Sequence, residues 1–262
     1  MKILFLIAAC TSVIAVALIC VFLFANGVPA MREIGVWDFL SGQLWRPANN
    51  IFGILPMIMG SIYVTAGAIV VGVPIGLFTA VFMAHYCPKR IYGMCKTAVN
   101  LMAGVPSVVY GFFGLVCIVP LMRDITGRDG STMLTASLLL GIMILPNIVS
   151  VCEASIRRVP VPYYEGALAL GATKERSIFA TVLPAAKSGI VAGIVLGIGR
   201  AIGETMAVVM VAGNQAWMPQ GLLKGVRTMT SNIVLEMGYA ADLHREALIA
   251  TCVVLFVFIL II

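Results

Sequence analysis

The sequence predicts an all-α, polytopic membrane protein of about six transmembrane helices, and three observations carry that expectation. Of its 262 residues, 61% are hydrophobic and 11% are charged, with a mean hydropathy of +1.07, whereas soluble domains carry about 25% charge. Apolar runs long enough to span, about 20 residues each, lie at roughly 3–25, 54–84, 99–122, 133–152, 188–213 and 246–262. Ten-residue segments of alternating hydrophobicity, the mark of a membrane barrel, are absent. The runs account for most of the chain, so residues 1–262 read as a single transmembrane domain.

The first run holds about 22 apolar residues, more than the 7–15 of a secretory signal, and reads as a retained span. Residues 26–53 form a loop in which Trp37 and Trp45 read as interfacial aromatics. Pro56 and Pro74 in the second run, and Pro106, Pro120 and Pro146 in later ones, kink membrane helices and free carbonyls. In the third run Ser107, Tyr110 and Gly114 recur at i, i+3 and i+7, one face of a helix. That face offers hydroxyl donors to an anion path; equally, small and hydroxyl residues pack membrane helices together. Asn147, in the fourth run, needs a buried partner or a wet cavity.

The segment 153–187 is too polar for lipid, with Arg157, Arg158, Lys174, Glu175 and Arg176. Pro160 and Pro162 stop the preceding helix. PYYEGALAL then reads as a short helix with Pro162 near its start and Gly171 as its stop. TKERSIFATVL reads as a second, with Thr173 as N-cap, and Pro184 opens the fifth run. The expectation is a helix-turn-helix elbow.

The fifth run, 188–213, contains two opposite charges. Ionisable groups at a helix centre cost on the order of 2.5–3.5 kcal/mol each on insertion scales, so a chain that keeps them there uses them. Arg200 lies about 18 Å along a helix from Ser188, near mid-bilayer. Glu204, one turn further, can pair with it. In an unbroken helix Gly193, Gly197, Arg200 and Glu204 share one face. Gly189-x3-Gly193 and Gly199-x3-Gly203 offer surfaces for close helix approach. The pair either locks the bundle or lines a translocation path, where the guanidinium fork suits a tetrahedral oxyanion.

Basic residues set the topology. With the N-terminus inside, the inner segments hold nine Lys and Arg against three acids, and the outer segments seven against seven. The whole net charge of +6 then lies on the inner, cytoplasmic side. It reads as orientation and attraction to anionic lipid rather than nucleic-acid binding. Seven cysteines form no C-x-x-C pair and His85 and His244 lie far apart, so the sequence supports no metal site. Gly166 and Gly171 have the glycine spacing of a phosphate loop, but Ala172 stands where the lysine belongs and no strand precedes it. The chain is not expected to bind ATP or to be an enzyme.

Glu165, Gly166, Ala167, Gly171, Leu183 and Pro184 resemble the EAA loop of ABC importer permeases. Gly166 stands where that pattern usually has Ala, and Thr181 where it usually has Ile. Together with VPSVVYGFFG (105–114) and GRAIGETMAV (199–208), the loop resembles the phosphate-specific importers, as the C-type permease of the Pst system, from about Phe52 onward. The resemblance implies a type I ABC importer permease fold in a bacterial plasma membrane. It also implies that elbow 153–187 couples to a cytoplasmic ATPase that binds the ATP and magnesium, with no cofactor in this chain. The implied partners are a second, A-type permease, two ATPase subunits and an external phosphate-binding protein. Arg200 and Glu204 become the positions for phosphate passage. Two alternatives stay open: a permease for another oxyanion such as sulfate or molybdate, and an ATP-independent secondary transporter.

Overall fold

A computed structural model describes residues 1–262. In chain order the helices are α1 (Lys2–Ile34), α2 (Val36–Ser41), α3 (Leu55–Val81), α4 (Lys89–Gly104), α5 (Ser107–Phe113), α6 (Val119–Thr126), α7 (Met133–Arg157), α8 (Val161–Ala169), α9 (Lys174–Ser177), α10 (Leu183–Ala185), α11 (Lys187–Gly203), α12 (Met206–Val211), α13 (Met229–Glu236) and α14 (Asp242–Ile261). Five stretches are long and apolar enough to cross a membrane: Lys2–Ile34, Leu55–Tyr86, Ser107–Thr126, Met133–Arg157 and Asp242–Ile261. The pair Lys174–Ala185 and Lys187–Gly203, bent by 72°, makes a sixth.

Two of the expected runs are divided. The run 99–122 breaks at Val105 and Pro106, because a residue before proline is pushed out of the helical region; Val105 is extended, with φ −69° and ψ 127°. The run 188–213 breaks at Glu204, also extended, with φ −69° and ψ 130°. Gly203 and the β-branched Thr205 flank that break, and both are weak helix formers.

Prolines also explain three π-helical turns, at Phe82–Tyr86, Gly114–Ile118 and Ile178–Val182. Each ends two residues before a proline: Pro88, Pro120 and Pro184. A proline ring clashes with the carbonyl four residues back, which falls in the middle of each turn, and the wider π-turn relieves the clash. Pro29, Pro74 and Pro146 lie within regular helix, so a proline alone does not dictate the device.

The chain divides into two compact units. The first comprises Met1–Ser61, Asn214–Gln220 and Gly225–Ile262. Within it α1 lies against α14, with Gly27 set so close to Val253 and Ala250 that any side chain would collide. Phe24 meets Phe256 edge to face at 6.1 Å. The loop expected at 26–53 is structured: α2 is followed by a two-residue antiparallel hairpin that pairs Trp45 with Phe52 and Arg46 with Ile51. Phe39, Trp45, Phe52, Ile54, Met57, Met229 and Leu248 form its core. Trp37 is exposed as expected, but Trp45 is buried, and its indole N–H donates to Glu236 (2.7 Å). That corrects its reading as an interfacial aromatic: a buried indole requires an acceptor, and Glu236 supplies one.

The second unit comprises Ile62–Gly213 and Gly221–Lys224. Its centre is α7, capped by Thr132, whose hydroxyl accepts from the Thr135 amide (3.3 Å). Ile144 and Ile148 of α7 are wedged between glycines: a Cβ on Gly72 or Gly76 of α3 would lie 2.8 Å from one or the other. On the opposite side a Cβ on Gly197 of α11 would lie 2.9 Å from Ile148 Cγ1, and one on Gly193 would lie 3.0 Å from Cys152 Sγ. Between membrane helices the gain is van der Waals contact, and glycine brings the backbones near enough to make it.

Candidate functional site

The glycine seam sets α11 against α7, and Arg200 falls in the last turn of α11, half-buried. Gly193 and Gly197 form the packing face the sequence suggested. Gly199 and Gly203 do not: a Cβ at either would meet nothing within 4 Å in this chain. The expectation of one helix face carrying both Arg200 and Glu204 is corrected, because the helix stops at Gly203. Glu204 instead begins the next element. Its amide donates back to the Ala201 carbonyl (3.3 Å), and its carboxylate accepts from the Ala207 amide (3.3 Å) at the start of α12. A carboxylate that collects a free helix N–H satisfies a donor the break would otherwise strand.

α5 is seated on α12 through Gly111, where a Cβ would lie 2.9 Å from the Ala207 Cα and 2.7 Å from Met210 Sδ. This brings Tyr110, next to Gly111 on the same short helix, to the element that follows the break at Glu204. The Tyr110 hydroxyl donates to the Met102 carbonyl (3.0 Å), bridging the break between α4 and α5. Ser107 is the first residue of α5, half-buried, and shares that helix with Tyr110. Gly114, the third member of the expected face, starts a π-turn. Tyr110 thus bridges one helix break, Arg200 and Glu204 lie at a second, and α5 seated on α12 joins the two; broken helices of this kind line cavities in membrane transporters.

The elbow forms as expected. α8 ends in a Schellman motif, with Gly171 N–H donating to Leu168 (2.9 Å) and Ala172 N–H to Ala167 (3.1 Å). Gly171 has φ +88°, a conformation that favours glycine. Thr173 caps α9 by accepting from the Arg176 amide (3.3 Å). Glu165 and Gly166 are exposed, Ala167 is half-buried, and a Cβ on Gly166 would meet nothing within 4 Å. Ser177, Ile178 and Val182 bury the inward face, while Val161, Tyr163 and Leu170, the last 91% exposed, point outward. Leu183 and Pro184 sit just before the 72° bend into α11.

Two further polar centres escaped sequence reasoning. Glu153, 2% exposed near the end of α7, accepts from Tyr92 (2.8 Å) and Lys96 (2.7 Å) of α4 and pairs with Arg157. Its hydrogen bond pushes the Tyr92 phenol above its usual range. In the other unit Glu236 accepts from Trp45, pairs with Arg227 (2.6 Å) and lies 2.9 Å from His244. The available signal was a lone carboxylate at the end of an apolar run, with a basic partner four residues on for Glu153. No three His, Cys, Asp or Glu side chains gather in a metal-holding group.

Residues 72–262 match the family described as the binding-protein-dependent transport system inner membrane component. The chain belongs to this family. Among similar proteins, the phosphate transport system permease protein PstC of Mesorhizobium japonicum is 32% identical over 260 residues, covering 91% of this chain and 79% of that one. The probable ABC transporter permease protein YqgH of Bacillus subtilis is 33% identical, with 89% and 78% covered. The probable phosphate transport system permease protein PstC of Methanocaldococcus jannaschii is 31% identical, with 90% and 82% covered. An inward-facing MetNI methionine ABC transporter aligns with a TM-score of 0.62 at 19% identity, over 83% of this chain and 94% of that chain. That likeness is one of fold, and the fold is that of the type I ABC importer permeases.

Proposed function

We propose that this chain is one half of the membrane pathway of an ATP-driven importer for inorganic phosphate. The observation that carries the reading is the likeness to phosphate permeases along about nine-tenths of the chain. The helix break beside Arg200 and Glu204, with the Tyr110 helix packed on the element that follows it, supports it. The N-terminus lies in the cytoplasm of a bacterium, which puts the elbow on the ATPase side of the plasma membrane. A second, A-type permease completes the pathway, two cytoplasmic ATPase subunits bind ATP and magnesium, and an external phosphate-binding protein delivers the anion.

In this reading the exposed face of α8, from Glu165 to Gly171, docks in the ATPase. Leu183 and Pro184 hold the bend that carries the elbow's motion into α11. At the far end of α11 the Arg200 fork receives two oxygens of a tetrahedral anion, which a point charge cannot match in geometry. Ser107 offers a hydroxyl donor from α5, and Tyr110, its own proton given to the Met102 carbonyl, braces the neighbouring break. Glu204, fixed as the cap of α12, keeps the break open.

The test is radiolabelled phosphate uptake in cells that lack their own C-type permease and carry this chain with its partner subunits. Uptake that requires the ATPase and resists competition by sulfate and molybdate is the expected result. An assembled complex that hydrolyses ATP but prefers sulfate or molybdate would overturn the substrate. Uptake that persists without the ATPase and follows an ion gradient would overturn the transport mode.

A further inference from the structure

The elbow touches the rest of its unit through more than chain connectivity. Tyr164 of α8 lies against His85 of the π-turn that closes the second span, the rings tilted by 34° with centroids 5.7 Å apart. Arg157 and Val182 line the same small cavity, about 280 Å³. Arg157 donates to the Met83 carbonyl of that π-turn (2.7 Å) and lies over the Tyr92 ring at 4.3 Å. It also pairs with Glu153, whose carboxylate holds Tyr92 and Lys96 of α4. The far end of α4 carries the Met102 carbonyl that accepts from Tyr110. A continuous line of contacts thus runs from the elbow to Tyr110, across the break between α4 and α5.

Stability alone does not account for a carboxylate placed there. A buried ion pair gains little over well-packed apolar side chains, because desolvation consumes most of its Coulomb energy. What such a knot supplies is register. α4 has no buried residue of its own, and its Tyr92 and Lys96 fasten it to α7 at one point. Without Glu153, α4 would still lie along α7 but would lose the polar tie that fixes its register there.

We propose that Glu153 is a positioning residue that makes α4 move with the elbow, and so carries ATPase closure to the Tyr110 end of the path. The proposal rests on the elbow docking with an ATPase as read above, but not on phosphate being the cargo. Cys95 of α4, half-exposed, reports the motion. In the complete complex, with the other cysteines replaced, its maleimide labelling rate is compared with and without trapping of the ATPase by vanadate. Phosphate uptake is measured alongside.

In the parent, trapping changes the rate about fivefold, within the range of energetic coupling between sites. In Glu153→Gln the change disappears while ATP hydrolysis continues, and Glu153→Asp, which keeps the charge, recovers part of it. If Glu153→Gln does not assemble, Tyr92→Phe and Lys96→Gln each remove one donor at a half-exposed position, and each must shrink the response. A full response in Glu153→Gln, a full response in either donor variant, or no response in the parent would overturn the proposal. A parent that responds but takes up no phosphate, with the response lost in Glu153→Gln, would overturn the cargo and leave the role of Glu153 standing.

Discussion

Replacing Gly197 by alanine puts a methyl where the packing of the second unit has no room. Its Cβ would lie 2.9 Å from Cγ1 and 3.1 Å from Cδ1 of Ile148, against about 3.5–4.0 Å for a relaxed carbon contact. Ile148 is fully buried and has little room to retreat toward α3, where it already packs so close to Gly76 that a Cβ there would lie 2.8 Å from its Cγ2. Overpacking of this kind costs about 1–3 kcal/mol, and the better helix propensity of alanine returns about 1. The net loss of about 1 kcal/mol should lower the melting temperature of the purified complex by about 2–4 °C. Gly93→Ala on α4, where a Cβ meets nothing within 4 Å, should raise it instead. Combining Gly197→Ala with Ile148→Ala, which removes the colliding atoms, should cost less than the two changes summed, by about 1 kcal/mol. Equal shifts for Gly197→Ala and Gly93→Ala, or strict additivity in the double variant, would refute the wedge.

Two other perturbations follow from the geometry. Gly171→Ala imposes a side chain at φ +88°, which costs about 1–2 kcal/mol. It should reduce ATPase co-purification while leaving the permease folded, read by pull-down against total chain. Trp45→Phe removes the indole donor and leaves His244 as the remaining partner of that Glu236 oxygen, so it should destabilise the complex by about 1–3 kcal/mol, read as thermal denaturation.

Much of this was legible in the sequence because membrane helices and caps are written locally. Apolar runs place the spans, Thr173 announces a cap, and Gly171 a left-handed stop. The breaks were harder. Val105 precedes a proline and could have been read as an interruption, but the surrounding hydrophobicity masked it. Glu204 looked like a helix-face residue because periodicity assumes an unbroken helix, and only its carboxylate reaching Ala207 reveals a cap. Gly189, Gly193 and Gly197 cannot be told from Gly199 and Gly203 by spacing, since only the position of α7 decides which row is packed. Glu153 and Glu236 escaped because the partners that tie them to other elements, Tyr92 and Lys96 for one and Trp45 for the other, lie 57 to 61 and 191 residues away, beyond any local pattern.

The central claim is that a guanidinium at the end of α11 receives the transported anion. It is tested most directly in liposomes reconstituted with the whole complex, comparing Arg200, Arg200→Lys and Arg200→Ala at equal assembly. Phosphate transport should fall at least about tenfold in both variants, because lysine keeps the charge but loses the fork, while ATPase activity persists. Undiminished phosphate transport by assembled Arg200→Ala would contradict the account.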